Sequence, residues 1–344
     1  MRVIIDAMGG DNAPAAPVLG GIEANREFGV DITLVGRGEE ILRVLHDNGI
    51  DELPRGVEIS HASEVVEICD NPATAFREKK ESSLTVGLNL LKNGQGDAFV
   101  SAGSTGALLS AATLIVKRIR GIRRAALAPV IPTGSGSAVL IDCGANAECS
   151  PEYLLQFAYM GSYYAEHVLG RPEPKVGLLN IGAEPEKGTD LQRETYARLA
   201  EAGAAGRINF VGNVEARDAV EGAVDVIVAD GYSGNVLLKT MEGAATFLMG
   251  HLKSVFKKNV LTKLSALLVK KELKGLKKML SADEIGGTAL LGISKPVIKA
   301  HGSSNAYAIK NAVRQAMQVT SAGIVENITE NVDYMRIGAE GAQE

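Results

Sequence analysis

The chain has 344 residues, 46% of them hydrophobic, with 39 glycines, no tryptophan and a formal net charge of −5 at pH 7. It is longer than the ~250–300 residues at which one hydrophobic core stops growing, so one large domain or two coupled lobes both fit. Its acidity disfavours general nucleic-acid binding, and no apolar run reaches the ~18 residues that a membrane span needs. Three cysteines (Cys69, Cys143, Cys149), none in a CxxC pair, and the lack of a signal-peptide pattern predict a reduced, cytoplasmic protein.

Residues 2–6 read as a strand running into Asp6-Ala7-Met8-Gly9-Gly10-Asp11, and 14–28 as the helix after it. Strand 32–35, helix 39–48 and strand 57–59 follow. Beyond Asn71-Pro72-Ala73 and segment 74–80, Ser82-Ser83 cap a helix to residue 92. Residues 98–100 form a strand that opens into Ser101-Ala102-Gly103-Ser104-Thr105-Gly106-Ala107, with a small-residue helix over 108–116. Strands at 127–131 and 138–142 flank Gly134-Ser135-Gly136, a hairpin turn, and the second ends at Asp142-Cys143-Gly144-Ala145-Asn146. Ser150 before Pro151 marks the start of a helix to residue 169. Strand 176–180 ends in 181–188, helix 190–202 follows, and strands 209–211 and 224–228 come next. The last opens into Asp230-Gly231-Tyr232-Ser233-Gly234-Asn235 and a helix to residue 252. Gly286-Gly287 and Gly302-Ser303-Ser304-Asn305 read as loops, and a long helix covers 306–327. Alternation of short apolar strands with helices predicts a three-layer α/β/α sandwich, Rossmann-like, forming one compact unit over 1–344 with residues 252–282 protruding.

Five apolar strands end in polar turns, after Ile5, Val100, Ile141, Asn180 and Val228. In open α/β sheets ligands bind at that edge, which predicts a shared site. The Ser101–Ala107 stretch suits phosphate: small residues admit a close ligand, a helix N-terminus offers free N–H groups, and Ser101, Ser104 and Thr105 add hydroxyls. A turn whose Ser or Thr merely caps the helix fits the same residues. No GxxxxGK[ST], GxGxxG at the first turn, HExxH or GxSxG occurs, so nucleotide hydrolysis, dinucleotide binding, zinc proteolysis and covalent serine catalysis lack support. The five histidines are scattered, and no metal or cofactor is expected. Cys143 is either a nucleophile or, as is commoner for such a residue, a small buried hydrophobe.

Taken together, DAMGGD, SAGSTGAL, IDCGAN, LLNIGAEPEKGT and DGYSGNVLLK, in this order and spacing, closely resemble the PlsX family across nearly the whole chain. Ser104, where the family pattern has Asn, and Thr288-Ala289, where it has Ala-Pro, depart from it. The resemblance implies acyl-acyl-carrier-protein:phosphate acyltransferase activity in phospholipid synthesis, a fold related to isopropylmalate dehydrogenase, and a dimer bound peripherally to the inner face of the cell membrane. Phosphate dianion is itself a nucleophile, so the protein has to position it and stabilise an oxyanion. On that reading Ser101, Gly103, Ser104, Thr105 and Gly106 hold phosphate, and Lys187, Asn235 and Lys239 supply charge and hydrogen bonds to the reacting atoms. Asp6, Asp11, Asp142, Asn146 and Asn180 organise the pocket. Arg77 and Lys80 fit either phosphate contact or a solvated helix face, and His301 either leaving-group protonation or a structural role. An isopropylmalate-type dehydrogenase, a coenzyme A-dependent phosphate acetyltransferase and a non-catalytic membrane scaffold are the competing functions.

Two basic stretches predict partners. Lys117-Arg118-Ile119-Arg120-Gly121-Ile122-Arg123-Arg124 exceeds what a helix C-terminus needs, and Arg118, Arg120, Arg123 and Arg124 form a candidate patch for acidic acyl carrier protein. Residues 253–278 hold nine lysines against one glutamate, a local +8 that leaves −13 on the rest. There Val260, Leu261, Leu264, Leu267 and Leu268 share one helical face, and Leu273, Leu276, Met279 and Leu280 repeat the pattern opposite Lys274, Lys277 and Lys278. Such basic amphipathic helices suit an anionic membrane surface, with Leu261, Leu264 and Leu268 inserted, or a partner subunit.

Overall fold

The computed structural model describes residues 1–279 and 282–336. Its strands are β1 (Arg2–Asp6), β2 (Asp31–Gly36), β3 (Val57–His61), β4 (Ala98–Ser101), β5 (Ala126–Ala128), β6 (Val130–Thr133), β7 (Gly136–Ile141), β8 (Lys175–Asn180), β9 (Asn209–Glu215), β10 (Val226–Val228), β11 (Thr288–Leu291) and β12 (Val297–Lys299). The helices are α1 (Ala15–Phe28), α2 (Gly38–Asp47), α3 (Ala75–Glu78), α4 (Ser83–Lys92), α5 (Thr105–Ala111), α6 (Pro151–His167), α7 (Asp190–Ala204), α8 (Ala216–Glu221), α9 (Gly231–Lys257), α10 (Val260–Leu268), α11 (Lys270–Met279), α12 (Ala282–Ile285), α13 (Ala306–Ser321) and α14 (Ile324–Glu330). A π-helical turn, Ala112–Val116, prolongs α5.

The strands make two sheets instead of the single one expected. One is seven-stranded, in the order β3-β2-β1-β4-β12-β11-β5; the other is five-stranded, in the order β6-β7-β10-β8-β9. The cause is Pro129. The apolar run 127–131 looks continuous, but a proline has no N–H for a ladder bond. The chain therefore leaves the first sheet after β5, which pairs with β11 (Leu290 opposite Leu127), and enters the second as β6, which pairs with β7 across the Gly134-Ser135 turn.

Around the first sheet the layers follow from alternation along parallel strands buried on both faces. Val3 and Ile5 of β1 join Val18 and Ile22 of α1 and Ile309 and Val313 of α13. Ile4 and Phe99 point the other way, to Leu84 and Leu88 of α4 and Ala107 and Leu108 of α5. Gly20 lets α1 and α13 touch: a Cβ there would lie 2.6 Å from Ile309 Cβ. Tyr159 and Phe157 of α6 are fully buried and share a core cluster with Val139, Val176 and Val226 of the second sheet. The helix expected over 306–327 is two, because Gly323 takes φ 62°, a left-handed conformation that stops α13 and restarts the chain as α14.

Helix α9 touches the core only through its first half, where Leu237, Leu238 and Met241 pack against it. Of its 27 residues only Gly231 and Gly234 are buried, so the protrusion starts well before residue 252. Helix α10 then turns back along α9, and α11 follows it. Leu280 of the second apolar repeat lies outside the described residues, as do the side chains of Lys277, Lys278 and Met279.

Candidate active site

The first sheet reverses its winding between β1 and β4: β2 and β3 lie to one side, β12 and β11 to the other. Ligands of open α/β sheets bind at such a switch point. The two turns that flank it, DAMGGD and SAGSTG, pack on each other. A Cβ on Gly9 would come within 2.5 Å of an Asp6 carboxylate oxygen and 2.8 Å of the Gly103 nitrogen. The Asp11 N–H donates to the Gly302 carbonyl at 2.8 Å, which brings the turn after β12 to the same place.

Within this cluster Asp6 is buried. Burial pushes its carboxyl above the usual range, against the pull of hydrogen bonds from Ser83, Ser101, Met8 and Gly9. Ser101 is the main correction to the phosphate reading. Its hydroxyl donates to Asp6 at 2.7 Å and accepts from the Gly103 N–H at 3.0 Å, and the residue is 1% exposed. The Ser101 side chain is thus spent on holding the turn, and the Gly103 amide with it. Ser104 is the N-cap of α5, its hydroxyl facing the Ala107 N–H at 3.5 Å. Thr105 and Gly106 open the first turn, where helical geometry leaves N–H groups without intrahelical acceptors. Thr105 is exposed, whereas Gly106 packs near Pro72.

A cleft of about 410 Å³ lies between the two sheets, with Thr105, Lys299, Ala300 and His301 on one wall and Gly144, Asn235 and Lys239 on the other. Leu127, Pro129 and Val130, where the chain crosses between sheets, also line it. The five polar turns thus divide, two on the first sheet and three on the second. The structure brings Thr105, Asn235 and Lys239 together; Lys239 makes an ion pair with Glu242 at 2.7 Å. Asn235 stands one turn into α9, which is capped by Asp230, and lies close to Gly144 of the turn after β7.

Asp142 joins the sheets. It is fully buried at the end of β7 and accepts from the N–H groups of Cys143 (2.7 Å) and Asn146 (2.6 Å) in its own turn. It also accepts from Leu127 of β5 in the other sheet at 2.8 Å. Burial raises its carboxyl above the usual range despite these donors. The Asn146 amide donates to Asp142 at 3.0 Å and to the Ala125 carbonyl at 2.8 Å, a second tie across the joint.

Lys187 is not brought to the cleft wall. It lies on the exposed turn after β8, whose shape Asn180 fixes by donating to the Lys187 carbonyl at 3.1 Å and accepting from the Ile181 N–H at 2.8 Å. Strand β8 adjoins β10, so this turn shares the C-terminal edge of the second sheet with the turn that carries Asn235. Cys143 is buried and its thiol is pushed up to about 12 by burial, which is wrong for a thiolate nucleophile. Arg77 lies over the Phe76 ring, 5.3 Å from its centroid.

Sequence reasoning missed β11, β12 and Lys299. The runs Thr288–Leu291 and Val297–Lys299 are short and flanked by glycine and proline, but the second is a sixth apolar strand ending in a polar turn. The arginine run is not the end of a helix. Lys117 at φ 77° leaves the helical region, and Arg118 hydrogen-bonds the Arg123 carbonyl. Arg123 pairs with Glu152 at 3.1 Å, Arg124 lies over the Tyr153 ring, and Arg120 is exposed. On α10, Leu261, Leu264 and Leu268 are 75%, 55% and 86% exposed. Among the described residues no helix is long and apolar enough to cross a membrane, and no cluster of potential metal ligands occurs.

The fold is shared with solved proteins. The EutD phosphotransacetylase of Staphylococcus aureus superposes with a TM-score of 0.60 at 16% identity over 94% of each chain. A branched-chain phosphotransacylase of Enterococcus faecalis gives 0.56 at 15% identity, over 93% of this chain and 99% of that one. At these identities the likeness defines the fold class, that of the phosphotransacetylases. Sequence goes further. Residues 1–327 match the family described as fatty acid synthesis protein. Proteins named phosphate acyltransferase from Alkaliphilus oremlandii and Oceanobacillus iheyensis are each 48% identical over 97% of this chain and 98% of their own. The chain belongs to this PlsX family of phosphate acyltransferases.

Proposed function

We propose that the chain transfers a fatty acyl group from acyl carrier protein to inorganic phosphate, giving acyl phosphate and free carrier protein. The observation that carries this reading is the cleft itself: the exposed first turn of α5 on one sheet faces Asn235 and Lys239 on the other. A phosphate oxygen attacks the thioester carbon, the C–S bond breaks as the C–O bond forms, and the carrier thiolate leaves and takes a proton from water. No acylated side chain is needed, which agrees with the protonated, buried Cys143. In this scheme Ser104, Thr105 and Gly106 receive phosphate, with Ser101 and Gly103 shaping the turn. Asn235 donates to the carbonyl oxygen as it gains charge. Lys239 exchanges Glu242 for the anion, and Lys187 meets the substrate from the neighbouring β8 turn. Asp6, Asp11, Asp142, Asn146 and Asn180 act through the turns they hold.

The same reading makes residues 1–344 one working unit, since the cleft needs both sheets. The arginine run ends three residues before Leu127 of the cleft wall and receives the acidic carrier protein. The exposed face of α9, with Tyr232, Val236, Phe247 and Leu248, meets a second copy, and the leucines of α10 meet an anionic membrane. The coenzyme A alternative is tested alongside. Acyl phosphate trapped with hydroxylamine is expected from acyl carrier substrate and phosphate, with far less from acetyl coenzyme A. Lys187→Ala and Asn235→Ala should each lower kcat at least tenfold, roughly the loss of one charge-assisted hydrogen bond. Acyl phosphate formed equally well by both variants would remove these two residues from the mechanism.

A further inference from the structure

Three charged side chains are buried among the described residues: Asp6, Asp142 and Lys299. The two carboxylates each accept several hydrogen bonds, from their own turns and from neighbouring elements. Lys299 is different. It is the buried cation of the set, 8% exposed, and no carboxylate lies within ion-pair distance of it among the described residues. Its ammonium donates to two neutral acceptors, the Ala102 carbonyl at 3.3 Å and the Ala300 carbonyl. These carbonyls follow β4 and β12, which are neighbours in the sheet, so Nζ sits on the C-terminal edge beside the turn that leads into α5. An ammonium has three donors, and among the described residues the third meets no acceptor.

Burying a cation without a partner is costly, and a protein normally avoids it. Here the cost is visible: burial lowers Lys299 to about 8, against the opposing pull of Asp6 and Asp11. Its surroundings say what would offset that cost. Lys299 lines the cleft together with Thr105, and the other lysine on the wall, Lys239, is exposed and already paired with Glu242. A dianion entering next to Thr105 would give the ammonium the charge partner it lacks.

We infer that Lys299 is a phosphate-binding residue, moored by the Ala102 and Ala300 carbonyls so that its remaining N–H meets phosphate at the first turn of α5. This rests on the acyl-transfer reading above for the identity of the anion. The β12 edge thereby gains a role, because Ala102 links the ammonium to the SAGSTG turn and phosphate is held by one rigid corner. The titratable neighbours of the ammonium are Asp6 on β1, Asp11 in the turn after it, and His301 two residues beyond on the chain. Asp6 and Asp11 favour the charged form of the lysine. Above about 8 the ammonium is lost, and phosphate binding weakens with it.

The test is direct binding of inorganic phosphate to the full chain by calorimetry, with no acyl substrate present, for the wild type, Lys299→Met and Lys299→Arg. Loss of one charge-assisted bond should raise the phosphate Kd of Lys299→Met roughly ten- to a hundredfold at pH 7. Lys299→Arg should retain binding and lose the alkaline decline near pH 8, because a guanidinium stays charged. A purely structural lysine would not move that pH profile, and the arginine variant keeps the test open should the methionine variant fail to fold. Wild-type binding with an unchanged Kd in Lys299→Met, or an unchanged alkaline limb in Lys299→Arg, overturns the inference and leaves the acyl-transfer reading standing. A wild type that neither binds phosphate nor forms acyl phosphate overturns both.

Discussion

Ser101→Ala separates a residue that shapes the phosphate turn from one that touches phosphate. The hydroxyl gives Asp6 a 2.7 Å bond and takes one from the Gly103 N–H at 3.0 Å. A bond to a charged acceptor nets about 1.5–3 kcal/mol and a neutral one about 1 kcal/mol. Asp6 keeps its Met8 N–H donor at 3.2 Å, so the loss is partial. We expect about 2–3 kcal/mol of destabilisation, a large share of the ~5–15 kcal/mol that holds most domains. The effect should depend on pH. Burial already lets the folded Asp6 carboxyl keep its proton to higher pH than the unfolded one. Stability is therefore lost as pH rises above the ordinary carboxyl value, until the folded group ionises. Removing a donor to the ionised form extends that window upward, so the variant should lose more at pH 8 than at pH 5. Urea unfolding followed by circular dichroism at the two pH values measures this, with m unchanged. The phosphate KM should stay within about threefold of wild type, less than one lost hydrogen bond would cost. A stability change under about 0.5 kcal/mol together with a tenfold rise in phosphate KM would refute the reasoning, because the hydroxyl would then face the ligand.

The joint between sheets should be equally sensitive. Asp142→Asn turns an NH₂ toward at least two of the N–H donors that the carboxylate now satisfies, and should cost about 2–4 kcal/mol in urea unfolding; a change under about 0.5 kcal/mol would show that these bonds contribute no net stability. Charge reversal of the docking run, Arg123→Glu with Arg124→Glu, should raise the acyl-carrier KM several-fold at low salt, with the difference fading as salt is added. An acyl-carrier KM that responds to neither substitution nor salt would move the docking surface elsewhere. Leu264→Glu with Leu268→Glu should abolish sedimentation with phosphatidylglycerol vesicles and leave acyl-phosphate formation in detergent intact. Undiminished vesicle binding would assign those leucines to a subunit contact instead.

Several elements were legible because local rules decide them. Ser82 does cap α4, its hydroxyl facing the Thr85 N–H at 3.3 Å, and Pro151 does open α6. The runs before Asp6, Ser101 and Asp142 are short, apolar throughout and bounded by polar turns, the pattern of strands buried on both faces. What was not legible depends on distance along the chain. Pro129 looks like a minor blemish in one strand until its two sides are seen to pair with β11 and β7, one about 160 residues away and the other within the next hairpin. Ser101 and Thr105 look equivalent in a string of hydroxyls. The period of the strand turns the first toward Asp6, and the helix start turns the second outward. Lys299 ends a strand of three residues, too short to register as an apolar run, and its burial comes from β4, which lies about 200 positions earlier.

The order in which the first sheet is assembled has a consequence for synthesis. Strand β12 is added last yet occupies the middle, between β4 and β11, so β4 waits with an open flank while about 190 residues leave the ribosome. Pairings of such long reach form slowly and leave an exposed edge in the meantime. A nascent or truncated chain ending before residue 288 would carry all five motifs from DAMGGD to DGYSGNVLLK, and would still have an unfilled gap in the sheet beside the SAGSTG turn.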